Sequence, residues 1–319
     1  MVFDILFIVL GVYLVLRGAD WLTDGASAIA RRLNVPEIII GLTIVAAGTS
    51  APELFVSLVS ALKDTPDLAV GNVVGSNIMN TMLIVGCAAV VAPMTISPAT
   101  VRKDIPFAIG ASLLLIVLCL NSHVSRLDGI LLLATFAIFM GYTLKQVHGD
   151  GSHDPSSSGD CDQENRPLIP KPLWRNVAFV LGGLLGLVVG SNVFVDHATT
   201  LAYSLGISEG VVGLTVVAGG TSLPELATTV VAARKGQSAM AIGNVLGSNV
   251  FNILLILGLT ATISPLQIEG ITTIDISVML LSVVLLWLFC RTRYTVERWE
   301  GAVLLVGYLA YLAWLIAHL

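Results

Sequence analysis

Gly41-Leu-Thr-Ile-Val-Ala-Ala-Gly-Thr-Ser-Ala-Pro-Glu53 returns almost unchanged as Gly213-Leu-Thr-Val-Val-Ala-Gly-Gly-Thr-Ser-Leu-Pro-Glu225, with ten of thirteen positions identical. A second matched stretch follows each: Gly71-Asn-Val-Val-Gly-Ser-Asn-Ile-Met-Asn80 and Gly243-Asn-Val-Leu-Gly-Ser-Asn-Val-Phe-Asn252. Both pairs are offset by 172, since 213 − 41 and 243 − 71 are equal. The chain is therefore an internal duplication whose best-matched parts are also its most polar apolar-flanked segments. A carboxylate on an otherwise apolar helix is expensive in lipid, so Glu53 and Glu225 mark a functional site.

With 319 residues, 55% of them hydrophobic and only 12% charged, and a mean hydropathy of +0.90, the chain is too apolar for a soluble domain and is expected to be an integral membrane protein. The net charge of −5 says little about partners, because what matters is where Lys and Arg fall relative to the spans. Cys87, Cys119 and Cys290 lie in apolar segments and Cys161 in a polar one, without metal-ligand spacing, so no disulfide framework is expected. The apolar run from Val2 to Leu16 has neither a basic leader nor an Ala-x-Ala cleavage pattern and reads as a retained first span.

Crossing about 30 Å of hydrocarbon takes about 20 residues, and ten candidate spans are found. The first starts near Val2 and continues through Asp20 toward Arg31, long enough to require tilting. Four more fall near Pro36–Leu62, Leu68–Val91, Ile105–Leu120 and Leu127–Leu144. After a Gly, Ser, Asp and Pro-rich stretch, five others follow near Val177–Leu205, Val211–Ala233, Met240–Ile263, Ile271–Phe289 and Ala302–Ala317. This divides the chain into a first repeat (1–146), a flexible linker (147–171) too poor in apolar residues to fold alone, and a second repeat (172–319). His148 and His153 in the linker read as incidental to a solvated segment.

Five spans per half is an odd number, so the second repeat enters the bilayer from the opposite side. The expected fold is all-α, with ten transmembrane helices in two inverted five-helix repeats and broken helices at the midplane. Thirteen basic residues, from Arg31 and Arg32 through Lys145 and Arg166 to Arg298, fall at alternate loops, against Lys63 and Arg126 on the other side. The positive-inside rule then puts the linker in the cytoplasm and both termini outside. Arg17 lies within a span near Asp20 and Asp24, where pairing or snorkelling accounts for it.

Within Gly48-Thr-Ser-Ala-Pro-Glu53 the proline removes a backbone hydrogen bond four residues back and the glycine loosens the same turn. Freed carbonyls, such as those of Ala46 and Thr49, can then face a cavity beside the Thr49 and Ser50 hydroxyls and the Glu53 carboxylate. The second half offers Ala218, Thr221, Ser222, Pro224 and Glu225. Asn80 and Asn252 each lie 27 residues beyond their glutamate, and Ser76 and Ser248 lie four before their asparagine, on the same helical face. These donors are all oxygen, which suits hard cations such as Ca²⁺ or Na⁺ and disfavours zinc or copper. Two glutamates also balance one divalent charge.

The paired Gly-Thr-Ser-x-Pro-Glu and Gly-Asn-x-x-Gly-Ser-Asn segments, with Gly18-Ala-Asp-Trp21 at the end of the first helix, closely resemble the alpha repeats of the sodium/calcium exchanger family, within the calcium:cation antiporter superfamily. The resemblance spans essentially the whole chain. It implies ten helices, a core of the second, third, seventh and eighth around the ions, and a first and sixth that slide past that core. It further implies Ca²⁺ at Glu53 and Glu225, and Na⁺ shared among Ala46, Thr49, Ser50, Ser76, Ala218, Thr221, Ser222 and Ser248. Asn80 and Asn252 complete the implied centre. Many members of the family carry aspartate where this chain has Asn252, and animal members carry a long calcium-sensing loop absent here, so the chain resembles a microbial exchanger.

These expectations amount to a secondary antiporter of a cell (inner) membrane that exports Ca²⁺ against Na⁺. Proton-coupled or potassium-dependent exchange is the nearest alternative, since a buried carboxylate can be discharged by a proton instead. A channel is disfavoured because filters are usually built from subunits around one axis. An enzyme is disfavoured by the lack of a nucleotide fingerprint, nucleophile elbow or catalytic histidine cluster. The expected partners are membrane lipid and small cations, with no cofactor, nucleic acid or obligate protein partner.

Overall fold

The computed structural model describes residues 2–63, 65–149, 172–206, 218–268 and 272–317, which are almost wholly helical. The first half contains α1 (Val2–Leu33), α2 (Glu37–Thr49), α3 (Ala51–Leu62), α4 (Pro66–Val91), α5 (Ile105–Cys119) and α6 (Arg126–Gly149). The second contains α7 (Leu173–Ser204), α8 (Ala218–Thr221), α9 (Leu223–Arg234), α10 (Ser238–Ile263), α11 (Thr273–Arg293) and α12 (Arg298–Ala317). Helix α6 runs three residues past the expected domain boundary at 146, and the rest of the expected linker, 150–171, lies outside the described residues.

Among the described residues seven helices are long and apolar enough to cross a membrane, and the bent α2–α3 pair makes an eighth span. The other two expected spans fall short for identifiable reasons. Helix α5 has 15 residues, though a widened π-helical turn, Thr100–Asp104, precedes it without a break. Helix α9 has 12, and residues 211–217 of its expected span lie outside the described residues.

Hydrocarbon cannot hydrogen-bond a peptide group, so helices carry the spans. In their most apolar windows α4 and α10 are 78% and 94% buried inside the protein, whereas α1, α6, α7, α11 and α12 are at most 39% buried. The two helices with the Gly-Ser-Asn segments are thus the innermost, and the others shield them from lipid.

The 172-residue offset governs the contacts as well as the sequence. Gly11 packs on Gly190 and its counterpart Gly183 on Gly18, so the two 32-residue helices α1 and α7 cross antiparallel with backbone touching backbone. Gly86 meets Gly301, and Gly258 meets Gly129, in the same reciprocal way. Four two-residue strands, unforeseen from hydropathy, obey the same rule. β1 (Met94–Thr95) pairs antiparallel with β4 (Thr295–Val296), and β2 (His123–Val124) with β3 (Leu266–Gln267), stapling each half to the other at the span ends.

Candidate ion-binding site

Helix α2 ends at Thr49 and α3 begins at Ala51, with a 47° bend between them at Ser50, whose backbone (φ −81°, ψ 7°) leaves the helix. Ser222 breaks the second half equivalently (φ −90°, ψ 7°) between α8 and α9. Pro52 and Pro224 sit in the first turn of the resumed helix, where a missing N–H is tolerated. Glu53 and Glu225 stand in that same turn, their carboxylates at the positive end of the helix dipole. Both glutamates are 1% exposed, so each is committed to the protein interior.

The two breaks face each other. Ser50 Oγ donates to Glu225 Oε1 at 3.1 Å, and Ser222 Oγ donates to Glu53 Oε1 at 3.2 Å. Each serine therefore serves the carboxylate of the other repeat. One oxygen of each glutamate, Oε2, is buried without a hydrogen-bond partner.

Helices α4 and α10 supply the rest. Each widens into a π-helical turn at matching positions, Met79–Ile84 and Phe251–Ile256, and such turns gather at functional sites. Asn80 and Asn252 occupy these turns and are 1% exposed. Asn80 Nδ2 donates to Asn249 Oδ1 at 3.1 Å, and Asn252 Nδ2 donates to Asn77 Oδ1 at 3.3 Å, again across the repeats. In both residues the carbonyl Oδ1 is buried and without a partner. Two glutamates and two asparagines at repeat-equivalent positions thus each present an unpartnered acceptor oxygen, where buried polar atoms are ordinarily satisfied.

The remaining expected residues divide. Thr49, Ser50, Ser222, Ser76 and Ser248 are buried, and the Ser248 hydroxyl has no partner. Thr221 closes α8, and Ala218 opens it. The carbonyl of Ala46, expected to be free, accepts the Ser50 N–H at 3.0 Å and lies 3.4 Å from the Thr49 hydroxyl, because the helix holds one residue longer than the glycine suggests. The carbonyls that lose their partners to Pro52 and Pro224 lie four residues back, on Gly48 and Gly220. Ser191 of α7 donates its hydroxyl to Gly220 O.

Four asparagines carry supporting bonds that were not assigned from sequence. Asn72 Nδ2 donates to Glu53 O (3.2 Å) and Ser57 Oγ (2.9 Å), and Asn244 Nδ2 repeats this on Glu225 O (3.5 Å) and Thr229 Oγ1 (2.9 Å). Asn77 and Asn249 hold the amides of Asn252 and Asn80. All four lie inside the matched Gly-Asn-x-x-Gly-Ser-Asn stretches, and their recurrence at the 172 offset was the signal available. Among the described residues no three His, Cys, Asp or Glu side chains converge, so any bound ion would rely on mixed oxygen donors. An apolar cleft of ≈ 390 Å³ between α11 and α12, lined by Met82, Leu285 and Trp314 among others, includes none of these oxygens.

A duplicated membrane-spanning fold, with an all-oxygen cluster where its broken helices meet, defines an ion transporter of the internally repeated class. The chain belongs to the sodium/calcium exchanger family, whose model, "Sodium/calcium exchanger protein", matches residues 3–145 and 175–317. It is a multi-pass membrane antiporter. The inner membrane protein YrbG of Escherichia coli is 37% identical over 312 residues, covering 97% of this chain and 95% of its own. The sodium/calcium exchanger MaX1 of Methanosarcina acetivorans is 32% identical, covering 97% of each. The solved sodium-calcium exchanger NCX_Mj, soaked with Na⁺ and Ca²⁺, superposes with a TM-score of 0.84 at 31% identity, covering 98% of both chains.

Proposed function

We propose that the protein exchanges Na⁺ for Ca²⁺ by alternating access and exports Ca²⁺. The observation that carries this reading is the quartet of buried unpartnered oxygens: Glu53 Oε2, Glu225 Oε2, Asn80 Oδ1 and Asn252 Oδ1. Acceptors without donors are what a cation supplies for, and two carboxylates neutralise one Ca²⁺, which limits the cost of holding it away from water. In this reading Glu53 and Glu225 bind Ca²⁺. Na⁺ is shared among the hydroxyls and carbonyls of Thr49, Ser50, Ser76, Thr221, Ser222 and Ser248 and the backbone at Ala46 and Ala218. The amides of Asn80 and Asn252 close the centre.

The architecture belonging to this function is two inverted five-helix repeats in an inner membrane, linker inside and termini outside. The antiparallel crossing of α1 and α7 and the reciprocal glycine contacts support it. That NCX_Mj and MaX1 are named sodium/calcium exchangers supports the choice of ions. The test is Ca²⁺ uptake into proteoliposomes under imposed Na⁺, K⁺ and H⁺ gradients varied in turn. Uptake driven by outward Na⁺ alone supports the proposal, and uptake that follows only the H⁺ gradient overturns it in favour of Ca²⁺/H⁺ antiport.

A further inference from the structure

The amide ends of asparagine differ in sign, so a cation site built on Asn80 works only if its carbonyl, and not its NH₂, faces the ion. The hydrogen bonds around it run in one direction. Thr81 Oγ1 donates to Asn77 O at 3.0 Å, and a backbone carbonyl can only accept. With its hydrogen committed, Thr81 Oγ1 is left as an acceptor, and Asn249 Nδ2 donates to it at 2.9 Å. Asn249 must then turn Oδ1 toward Asn80, which answers with Nδ2 at 3.1 Å, and the Asn80 carbonyl is left for the site. Thr81 is fully buried, and its counterpart at the 172 offset is Ile253, which has no hydroxyl.

We propose that Thr81, acting through Asn249, is a positioning residue that sets the polarity of the Asn80 amide and thereby the affinity of the site for Ca²⁺. This rests on the reading of Asn80 as a cation ligand. The experiment measures the apparent KM for Ca²⁺ in Na⁺-loaded proteoliposomes for Thr81→Val, Thr81→Ala, Thr81→Ser and Asn80→Ala. Losing the hydroxyl should raise KM about five- to tenfold in both Val and Ala variants, the size expected for one lost buried hydrogen bond, with the turnover at saturating Ca²⁺ largely kept. Ser should restore the parent value. Because Ala and Val differ in volume but not in the lost bond, a KM that tracks volume, or a Ser variant as impaired as Val, overturns the proposal. Parental KM in Val and Ala overturns it as well. Asn80→Ala tells that failure from failure of the site: transport lost there leaves the site standing, and transport unchanged removes both.

A second inference comes from where the two halves differ. Lys235 Nζ, at the end of α9, is bound by Asp20 Oδ1 (3.1 Å), Asp24 Oδ1 (2.9 Å), Thr23 Oγ1 (2.9 Å) and Asp20 O (3.1 Å) of α1. Helix α1 packs closely along α9 there, with Ala19, Leu22 and Ala26 in one apolar cluster with Ala227 and Val231. The equivalent contact, α7 along α3, is not made to a comparable extent. Its ion pair would join Lys63 to Asp196, and among the described residues neither forms one. As α1 and α7 run antiparallel, the two sets lie at opposite ends of their crossing.

Resting on the alternating-access reading, the geometry points to a pair of alternating locks: Lys235 with Asp20 and Asp24, paired in this structure, holds one face closed, and Lys63 with Asp196 holds the other closed in the opposite state. The second is the weaker, because Asn192 stands where Asp20 stands in the first. Hydrogen–deuterium exchange on Lys235→Met and Asn192→Asp tests it. Each half-exposed pair is worth up to about 1 kcal/mol, hence about a fivefold shift in the balance. Both variants should speed exchange near 20–26 and 231–237 and slow it near 60–63 and 196–204. Exchange altered only beside the substituted residue, or accelerated at both ends, overturns the proposal.

Discussion

Gly183 and Gly182 are adjacent on α7, yet a methyl group should be tolerated at one and not at the other. A Cβ on Gly183 would lie 2.6 Å from Leu22 N, 2.7 Å from Gly18 O and 2.9 Å from Leu22 Cα, all backbone atoms that no rotamer change can move. Ordinary contact begins at 3.4 Å, so α1 would have to retreat by up to 3.4 − 2.6, or 0.8 Å, at its tightest crossing. On Gly182 the nearest atoms are ring carbons of Trp21 at 3.7 and 3.9 Å, so the same methyl fits. Overpacking of this kind costs about 1–3 kcal/mol, while Gly→Ala within a helix otherwise gains up to about 1 kcal/mol of propensity. Gly183→Ala should therefore lower the thermal midpoint in detergent and reduce Ca²⁺ transport, and Gly182→Ala should match or exceed the parent in stability with transport retained. Equal behaviour of the two variants would refute the reasoning that backbone contact between α1 and α7 is what the glycines provide.

Glu53→Gln and Glu225→Gln should each abolish Ca²⁺ counterflow while leaving a monodisperse protein, because each removes half of the compensating charge from a buried site; normal counterflow in either variant sinks the assignment. Ser191→Ala strips the hydroxyl from the Gly220 carbonyl that Pro224 has already orphaned, and should cost about 1–3 kcal/mol by thermal unfolding. A Ser191→Ala protein as stable as its parent would mean that this carbonyl finds another donor. Deleting residues 150–165 should leave uptake unchanged, and altered Ca²⁺ activation in that variant would give the linker a regulatory role.

What was legible in the sequence was whatever costs free energy in lipid and recurs. Glu53, Glu225 and the prolines beside them are expensive at membrane depth, so their duplication alone located the two helix breaks, and the structure breaks its helices at Ser50 and Ser222. The long first helix was equally plain, from an apolar run that starts at Val2 and continues past Arg17 and Asp20 toward Arg31. The four small strands were not, since two-residue pairings such as Met94 with Val296 carry no periodicity and depend on a partner some two hundred residues away. The fate of the Ala46 carbonyl escaped for a related reason. A proline identifies the carbonyl that loses its N–H, but not how far the preceding helix persists, and here it persists to Thr49.

The supporting asparagines mark a different boundary of sequence reading. Asn77 and Asn249 were visible as repeated residues, but that each accepts the NH₂ of an asparagine in the other half, leaving that residue's carbonyl unpartnered, depends on bonds between the repeats. Sequence symmetry makes the glutamates, serines and asparagines of the site interchangeable between halves. The residues around them are not: Thr81 against Ile253, Ser191 against Ala19, and Asp20 against Asn192. A transporter that passes the same ion through the same oxygens from either face needs the ligands matched, whereas the relative stability of its two states depends on everything else. On the alternating-access proposal, departures from the 172-residue repeat outside the proposed ligand set are therefore where the balance between those states would be written, and the Lys235 cluster, with two carboxylates against one at its counterpart, is the clearest of them.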